Sequence, residues 1–239
     1  MKNSLYQDTE YYSFHKFKSE KEWIKGRTKT IGGSSASALI DMNPWKDNNQ
    51  LWKEFFGIEE PKDISKKPQV IYGKKAEKHL RELFALDFSD KYEVQYVHNC
   101  FLRSREIPWM IYSPDGLLIE KETGRKGILE IKTTEILQSM QREKWDDRVP
   151  NNYYIQVLHG LNTTNFDFVV LKAQLKTVWK QEDGTEKIIL TTKHYYFDRE
   201  DENVKVDLEW LKEKEIEVYN KYYATQIEPS INLSNFLRS

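Results

Sequence analysis

Among its 239 residues the chain has a single cysteine, Cys100. One thiol excludes an intramolecular disulfide, a cysteine-rich zinc site and a four-cysteine iron–sulfur cluster. No run approaches the ~20 apolar residues needed to cross a bilayer. The first ten residues also lack the apolar core of a signal peptide. A cytoplasmic protein with no membrane association is therefore expected. Charge of one sign is missing too: 37 Lys and Arg nearly offset 38 Asp and Glu, giving a formal net charge of -1. That balance excludes a general polycation and confines nucleic-acid contact to local patches. Repeats, low-complexity tracts and Pro/Gly/Ser linkers are absent as well, so one domain over 1–239 is expected.

What is present is a globular composition, 38% hydrophobic and 31% charged, with enough length for a sizeable core. The first part, about 1–66, reads as a helical segment. It holds short helices at Ser19–Lys25, at Ala36–Met42 behind a serine N-cap, and at Asn49–Phe56 closed by Gly57. Ala76, Leu80, Leu83, Phe84 and Phe88 recur at helical spacing and predict a longer helix from Gln69 to Phe88. The period then changes. Tyr92–His98, Phe101–Arg103, Met110–Tyr112, Gly116–Glu120 and Ile128–Thr133 read as strands. Helices follow at Thr134–Trp145 and, after Pro150, at Asn151–Leu161. Strands at Phe166–Lys176 and Lys187–Asp198, joined by a turn at Glu182-Asp183-Gly184, precede a helix over Val204–Tyr223. The order predicts an α/β (α+β) domain with a central mixed β-sheet flanked by helices, closed by a strand–helix at about 187–223.

The chemistry concentrates in Ser113-Pro114-Asp115-Gly116 and Leu129-Glu130-Ile131-Lys132. Glu130 and Lys132 are two apart, so on a strand they share a face, while Leu129 and Ile131 turn the other way into a core. Asp115 lies on the preceding strand of a hairpin that turns near Thr123-Gly124. It faces Glu130 if the hairpin centres between Glu122 and Thr123, and Lys132 if it centres one residue later. Either register puts the three polar side chains on one face, and a one-residue slip would separate them. Facing carboxylates repel, and a divalent cation between them resolves the conflict. All-oxygen ligands favour magnesium, with manganese as a substitute. A lysine beside such an ion can orient water and stabilise charge building on a phosphate.

Glu77 shares a helix side with Gly73, Leu80 and Phe84, and an inward carboxylate needs a metal or a lysine as partner. Gln156, on the helix after Pro150, is placed to hold a phosphate, a water or Lys132. His159, one turn beyond, offers an auxiliary polar contact. Arg27 followed by Gly32-Gly33-Ser34-Ser35 at a helix start combines a fork of donors with free backbone N–H groups, a means of gripping phosphate. Between Ser13 and Thr30 six basic residues stand against two acidic ones, whereas Asp198–Glu217 carries nine acids and four bases. DNA is expected on the N-terminal side. Trp45 and Trp52 are the candidates for base-stacking platforms or duplex-splitting wedges, but core packing is the expected role for both, as for Trp109 and Tyr112, and Cys100 is expected as a small buried hydrophobe.

The ordered set Tyr72-Gly73-Lys74 with Glu77, Ser113-Pro114-Asp115-Gly116, Leu129-Glu130-Ile131-Lys132, and Tyr154-Ile155-Gln156-Val157 with His159 resembles the YqaJ-type viral recombinases. These belong to the phage lambda exonuclease group of the PD-(D/E)xK nuclease superfamily, and the similarity runs from about Arg27 to Leu171. The resemblance implies a restriction-endonuclease-like core. It also implies a magnesium-dependent exonuclease that degrades one strand of duplex DNA in the 5′→3′ direction.

 Two magnesium ions are implied, with manganese able to substitute. The product would be a 3′ single-stranded tail for recombination and released 5′-mononucleotides. By the same resemblance Asp115 and Glu130 are metal-binding carboxylates, Lys132 the catalytic lysine and Gln156 the glutamine near the reacting phosphate. Glu77 and the main-chain carbonyl of Ile131 are further metal ligands, and Arg27 and Ser34, with Ser35 beside it, engage the terminal 5′-phosphate. A homotrimer, a single-strand annealing partner and a bacterial cytoplasm with a phage or prophage source are implied as well. Helicase-associated and CRISPR-associated relatives carry a tyrosine four residues after the glutamine, where this chain has Gly160. The alternatives are an endonuclease or structure-specific nuclease on the same fold, or a non-catalytic DNA-binding module.

Overall fold

The computed structural model describes residues 4–136, 142–181 and 184–232. Nine strands are described: β1 (Tyr12–Lys16), β2 (Ile31–Gly32), β3 (Tyr92–Gln95), β4 (Cys100–Ser104), β5 (Met110–Tyr112), β6 (Gly116–Glu120), β7 (Lys126–Ile136), β8 (Phe168–Lys180) and β9 (Glu186–Asp198). The described helices are α1 (Glu20–Gly26), α2 (Gly33–Leu39), α3 (Asn48–Phe56), α4 (Pro68–Asp87), α5 (Asn151–Thr164) and α6 (Glu202–Val218), the last continued by a π-turn at Tyr219–Tyr223.

The strands form two mixed sheets rather than one. The first has the order β1-β4-β5-β2 and the second β3-β6-β7-β8-β9. The β-rich middle of the sequence thus splits, β4 and β5 joining strands from the N-terminal segment. That segment is not wholly helical, because β1 pairs along β4 and Ile31-Gly32 pairs in parallel with Met110-Ile111. Strand β2 runs straight into α2, so the helix starts at Gly33 with Gly32 as its N-cap, without a side-chain cap. The expected start at Ala36 is therefore three residues late.

Strand β7 is the axis of the second sheet, antiparallel to β6 and parallel to β8. Its alternation assigns each residue a side. Ile128 joins the core under α5, with Val157, Leu158 and Leu161. Leu129 and Ile131 join the core under α4, with Leu80 and Phe84. Gly73 lets α4 approach the sheet closely, since a Cβ there would lie 3.0 Å from Thr133 Oγ1. Residues 134–136, expected to open a helix, instead extend β7 against Leu175–Thr177 of β8. Pairing with a long neighbouring strand outweighs local preference, and β-branched Thr133, Thr134 and Ile136 suit it. The rest of that expected helix includes 137–141, and the expected turn includes 182–183; both lie outside the described residues. Trp52 is buried as expected, but Trp45 is 73% exposed.

Candidate active site

The chain passes from one sheet to the other at Ser113-Pro114-Asp115, between the end of β5 and the start of β6. Asp115 is thereby fixed at the junction of the two sheets. Gly116 pairs with Leu129 at the end of the β6–β7 ladder, the pairing that belongs to the first of the two registers considered from sequence, and Asp115 stands in the bend just before it. The Asp115 carboxylate accepts a hydrogen bond at 2.7 Å from the Ile131 N–H.

Glu130 is 1% exposed and lies on the α5 side of the sheet. Such a burial needs several partners. Lys132 Nζ stands 2.6 Å from Glu130 Oε1, and Gln156 Nε2 donates to the same oxygen at 2.6 Å. The Tyr112 hydroxyl donates to Oε2. Burial opposes the charge on Lys132, but Glu130 and Asp115 outweigh it and hold the ammonium above its ordinary pKa. Burial and the Glu130 charge push the Tyr112 phenol well up, so it remains a donor. Tyr112, expected only as core, is thus a polar member of the site. Its nearness in sequence to Asp115 is the signal that could have found it.

Glu77 comes from α4, on the opposite side of the sheet from Gln156, and ion-pairs with Arg81 at 3.0 Å. Arg81 also donates to the Asp115 carbonyl at 2.7 Å and lies 3.4 Å from the Tyr96 ring centroid. It was not anticipated, although its place one helical turn after Glu77 marks it as that carboxylate's natural partner. Burial pushes the Asp115 carboxyl well above the usual range, and the charges of Glu130 and Glu77 add to this against Lys132.

A cleft of about 580 Å³ connects Asp115 and Gln156 with Arg27 and Ser34. The Arg27 guanidinium rests over the Trp23 ring at 4.4 Å. Gly32 makes room for it, because a Cβ there would lie 2.9 Å from Arg27 Nη2. Among the described residues Arg27 has no carboxylate within ion-pair distance. Ser34 is exposed and Ser35 half-buried in the first turn of α2. Ser113 lines the same cleft, and its buried hydroxyl has no hydrogen-bond partner among the described residues. His159 stays out of the cleft. It is fully buried, with Nδ1 2.8 Å from Glu215 Oε1 and Nε2 3.1 Å from the Ile111 carbonyl.

The donor set suits a hard divalent cation. Asp115 and Glu130 are oxygen ligands whose mutual repulsion a cation would relieve. Among the described residues no three His, Cys, Asp or Glu side chains converge into a ready-made cage. Magnesium does not require one, since it keeps several waters and takes one or two carboxylates together with substrate phosphate.

Comparison with known proteins gives the geometry a lineage. The chain is 29% identical over 176 residues to the uncharacterized protein YqaJ of Bacillus subtilis (strain 168), a match covering 72% of this chain and 52% of that protein. It thus spans about half the length of that relative. The crystal structure of LHK-Exo in complex with dAMP is similar at a TM-score of 0.51 and 16% identity, over 87% of this chain and 99% of that one. A second crystal structure, of the alkaline exonuclease LHK-Exo from Laribacter hongkongensis, has a TM-score of 0.50, with the same identity and coverage. These likenesses establish a shared fold. Residues 22–167, more than half of the sequence, match the YqaJ-like viral recombinase domain, and the chain belongs to that family.

Proposed function

We propose that this chain is a divalent-metal-dependent 5′→3′ exonuclease that degrades one strand of double-stranded DNA and leaves 3′ single-stranded tails for recombination. One observation carries the reading: a single cleft joins Arg27, which has no described carboxylate partner, and Ser34 at a helix start to Asp115, Glu77 and Gln156. The family match and the fold shared with LHK-Exo, an alkaline exonuclease that binds dAMP, support it.

Arg27, Ser34 and Ser35 receive the terminal 5′-phosphate, which sets the reacting phosphodiester one nucleotide inward. Asp115 and Glu130, with the Ile131 carbonyl, would hold magnesium or manganese, two ions in the full site, and Glu77 would join once released from Arg81. The bound ions supply Lewis acidity and a water of lowered pKa. Lys132 presents its ammonium to the phosphate and steadies the charge that builds there, while Gln156 fixes Glu130. Water adds to phosphorus and the bond to the 3′-oxygen breaks, the departing oxygen ending protonated. The released mononucleotide keeps the original 5′-phosphate, and the shortened strand begins with a new one.

The whole of 1–239 is read as one nuclease domain working in the bacterial cytoplasm. Among the described residues no helix is long and apolar enough to cross a membrane. A homotrimer and a single-strand annealing partner complete the proposal. The test is digestion of linear duplexes ending in 5′-phosphate or 5′-hydroxyl, beside closed circular DNA, with magnesium. The expected result is rapid loss of the phosphorylated duplex, slow loss of the hydroxyl duplex and intact circles. Equal rates on both ends defeat end recognition, cleaved circles select an endonuclease, and binding without cleavage selects a non-catalytic module.

A further inference from the structure

Tyr112, like Gln156, contacts both Glu130 and the start of α2. Its hydroxyl donates to Glu130 Oε2, whereas Gln156 donates to Oε1 and Lys132 Nζ stands 2.6 Å from Oε1. Its ring lies between two glycines from different helices. A Cβ at Gly33, the first residue of α2, would lie 2.8 Å from Tyr112 Cε2, and one at Gly160, on α5, would lie 2.8 Å from both Cε2 and Cζ. Contacts that short cannot be kept, so the ring fills space that any larger residue at either position would take. A Cβ at Gly33 would also lie 3.0 Å from Gln156 Cγ, so the start of α2 rests on Tyr112 and Gln156 together. The strand carrying Tyr112 is itself pinned, because His159 bonds the carbonyl of Ile111.

We propose that Tyr112 is a positioning residue: its hydroxyl orients the Glu130 carboxylate toward the cation, and its ring seats α2 at a fixed distance from that carboxylate. This rests on the hydrolytic reading above. A carboxylate has about four lone-pair positions, so Glu130 can accept from Tyr112, Gln156 and Lys132 and retain one for a metal. Without the phenol, Oε2 is free to rotate away. Partners that orient a ligating carboxylate are worth about 10–100-fold in metal affinity or activity. Gly160 has its purpose here as well, since it leaves space for a tyrosine that arrives from a strand rather than from the helix.

Tyr112→Phe keeps the ring and removes only the hydroxyl. The measurement is Mn2+ binding by titration calorimetry in the absence of DNA, together with kcat and KM on a 5′-phosphorylated duplex and the thermal midpoint. The expected result is Mn2+ affinity weakened about tenfold or more and kcat lowered by a similar factor, with KM for DNA and the fold retained. Gly160→Ala supplies a second route, since its Cβ must displace the ring. It should weaken Mn2+ binding alone, and add little in the double variant with Tyr112→Phe. If Tyr112→Phe does not fold, Gly160→Ala carries the test. Mn2+ affinity and kcat within about twofold of the parent in the folded variants would overturn the positioning role while leaving hydrolysis intact. A parent protein that binds Mn2+ but cleaves no DNA overturns the hydrolytic reading, and this role with it.

Discussion

The two ends of the cleft are built differently. Behind the inner end, which Tyr112, Asp115 and Gln156 line, Glu130 is buried with its described partners in place: Lys132, Gln156 and Tyr112. At the outer end Arg27 lies over Trp23 with no described carboxylate to pair with, and Ser34 is exposed at the start of a helix. The inner end is organised in advance, while the outer end keeps its donors available. The contrast suits an enzyme that must first catch a phosphate and then hold a reacting ester rigidly. Preorganised charge is worth most where water is excluded, and a capturing site gains from donors not already spent on a protein partner.

The largest expected effect comes from disarming the inner end. Lys132→Gln should lower kcat on a phosphorylated duplex by about 100-fold or more, with far-UV circular dichroism and Mn2+ binding largely retained. An active variant would show that the ammonium is only a structural counter-ion for Glu130. At the outer end Arg27→Ala should slow cleavage of 5′-phosphorylated duplexes by about 10–100-fold, the worth of one or two charged hydrogen bonds. Rates on 5′-hydroxyl duplexes should barely change. Equal slowing on both substrates would remove the distinction between the ends.

The third effect concerns the support beneath the inner end. His159 is held between Glu215 on α6 and the carbonyls of Ile111 and Ile31. Burial lowers its pKa, but Glu215 and the carbonyls prevail and raise it above the ordinary 6.5. A raised folded pKa makes the pair's contribution complete below about 6.5 and lost as pH climbs through the folded value. The thermal midpoint of the parent should therefore fall on the alkaline side of neutrality, and His159→Gln should flatten that dependence. An unchanged slope would mean the pair does not titrate with unfolding. The smallest effect belongs to the surface, where Arg125 grips Asp198 at 2.7 and 2.8 Å. The Arg125 hydrogen bond holds the Asp198 carboxyl down at about 2, so this pair's contribution is present above the usual 3.8 and lost as pH falls toward about 2. Arg125→Ala should cost about 1 kcal/mol or less at neutral pH, seen by urea unfolding, with no change in cleavage.

Much of the site was legible because a strand has a period of two. Glu130 and Lys132 had to share a face, and an odd sum of facing residue numbers brought Asp115 to the same one. What could not be read was depth and side. The long α4 covers the Leu129–Ile131 face, so Glu77 approaches from across the sheet and meets Arg81 first. Nor does any local pattern announce that β4 and β5 leave the central sheet to pair with β1 and β2, since that pairing joins residues some 80–90 positions apart. Tyr112 reads as one more core aromatic, and only the two glycines packed on its ring and the carboxylate at its hydroxyl reveal more.

The most direct trial of metal-assisted cleavage from the end is a duplex labelled at one 5′-phosphate, incubated with magnesium and then with excess chelator. Early release of the label as a mononucleotide with magnesium, and none with chelator, is the predicted result. Label retained on long fragments while the opposite end shortens, or release that persists in chelator, would contradict it.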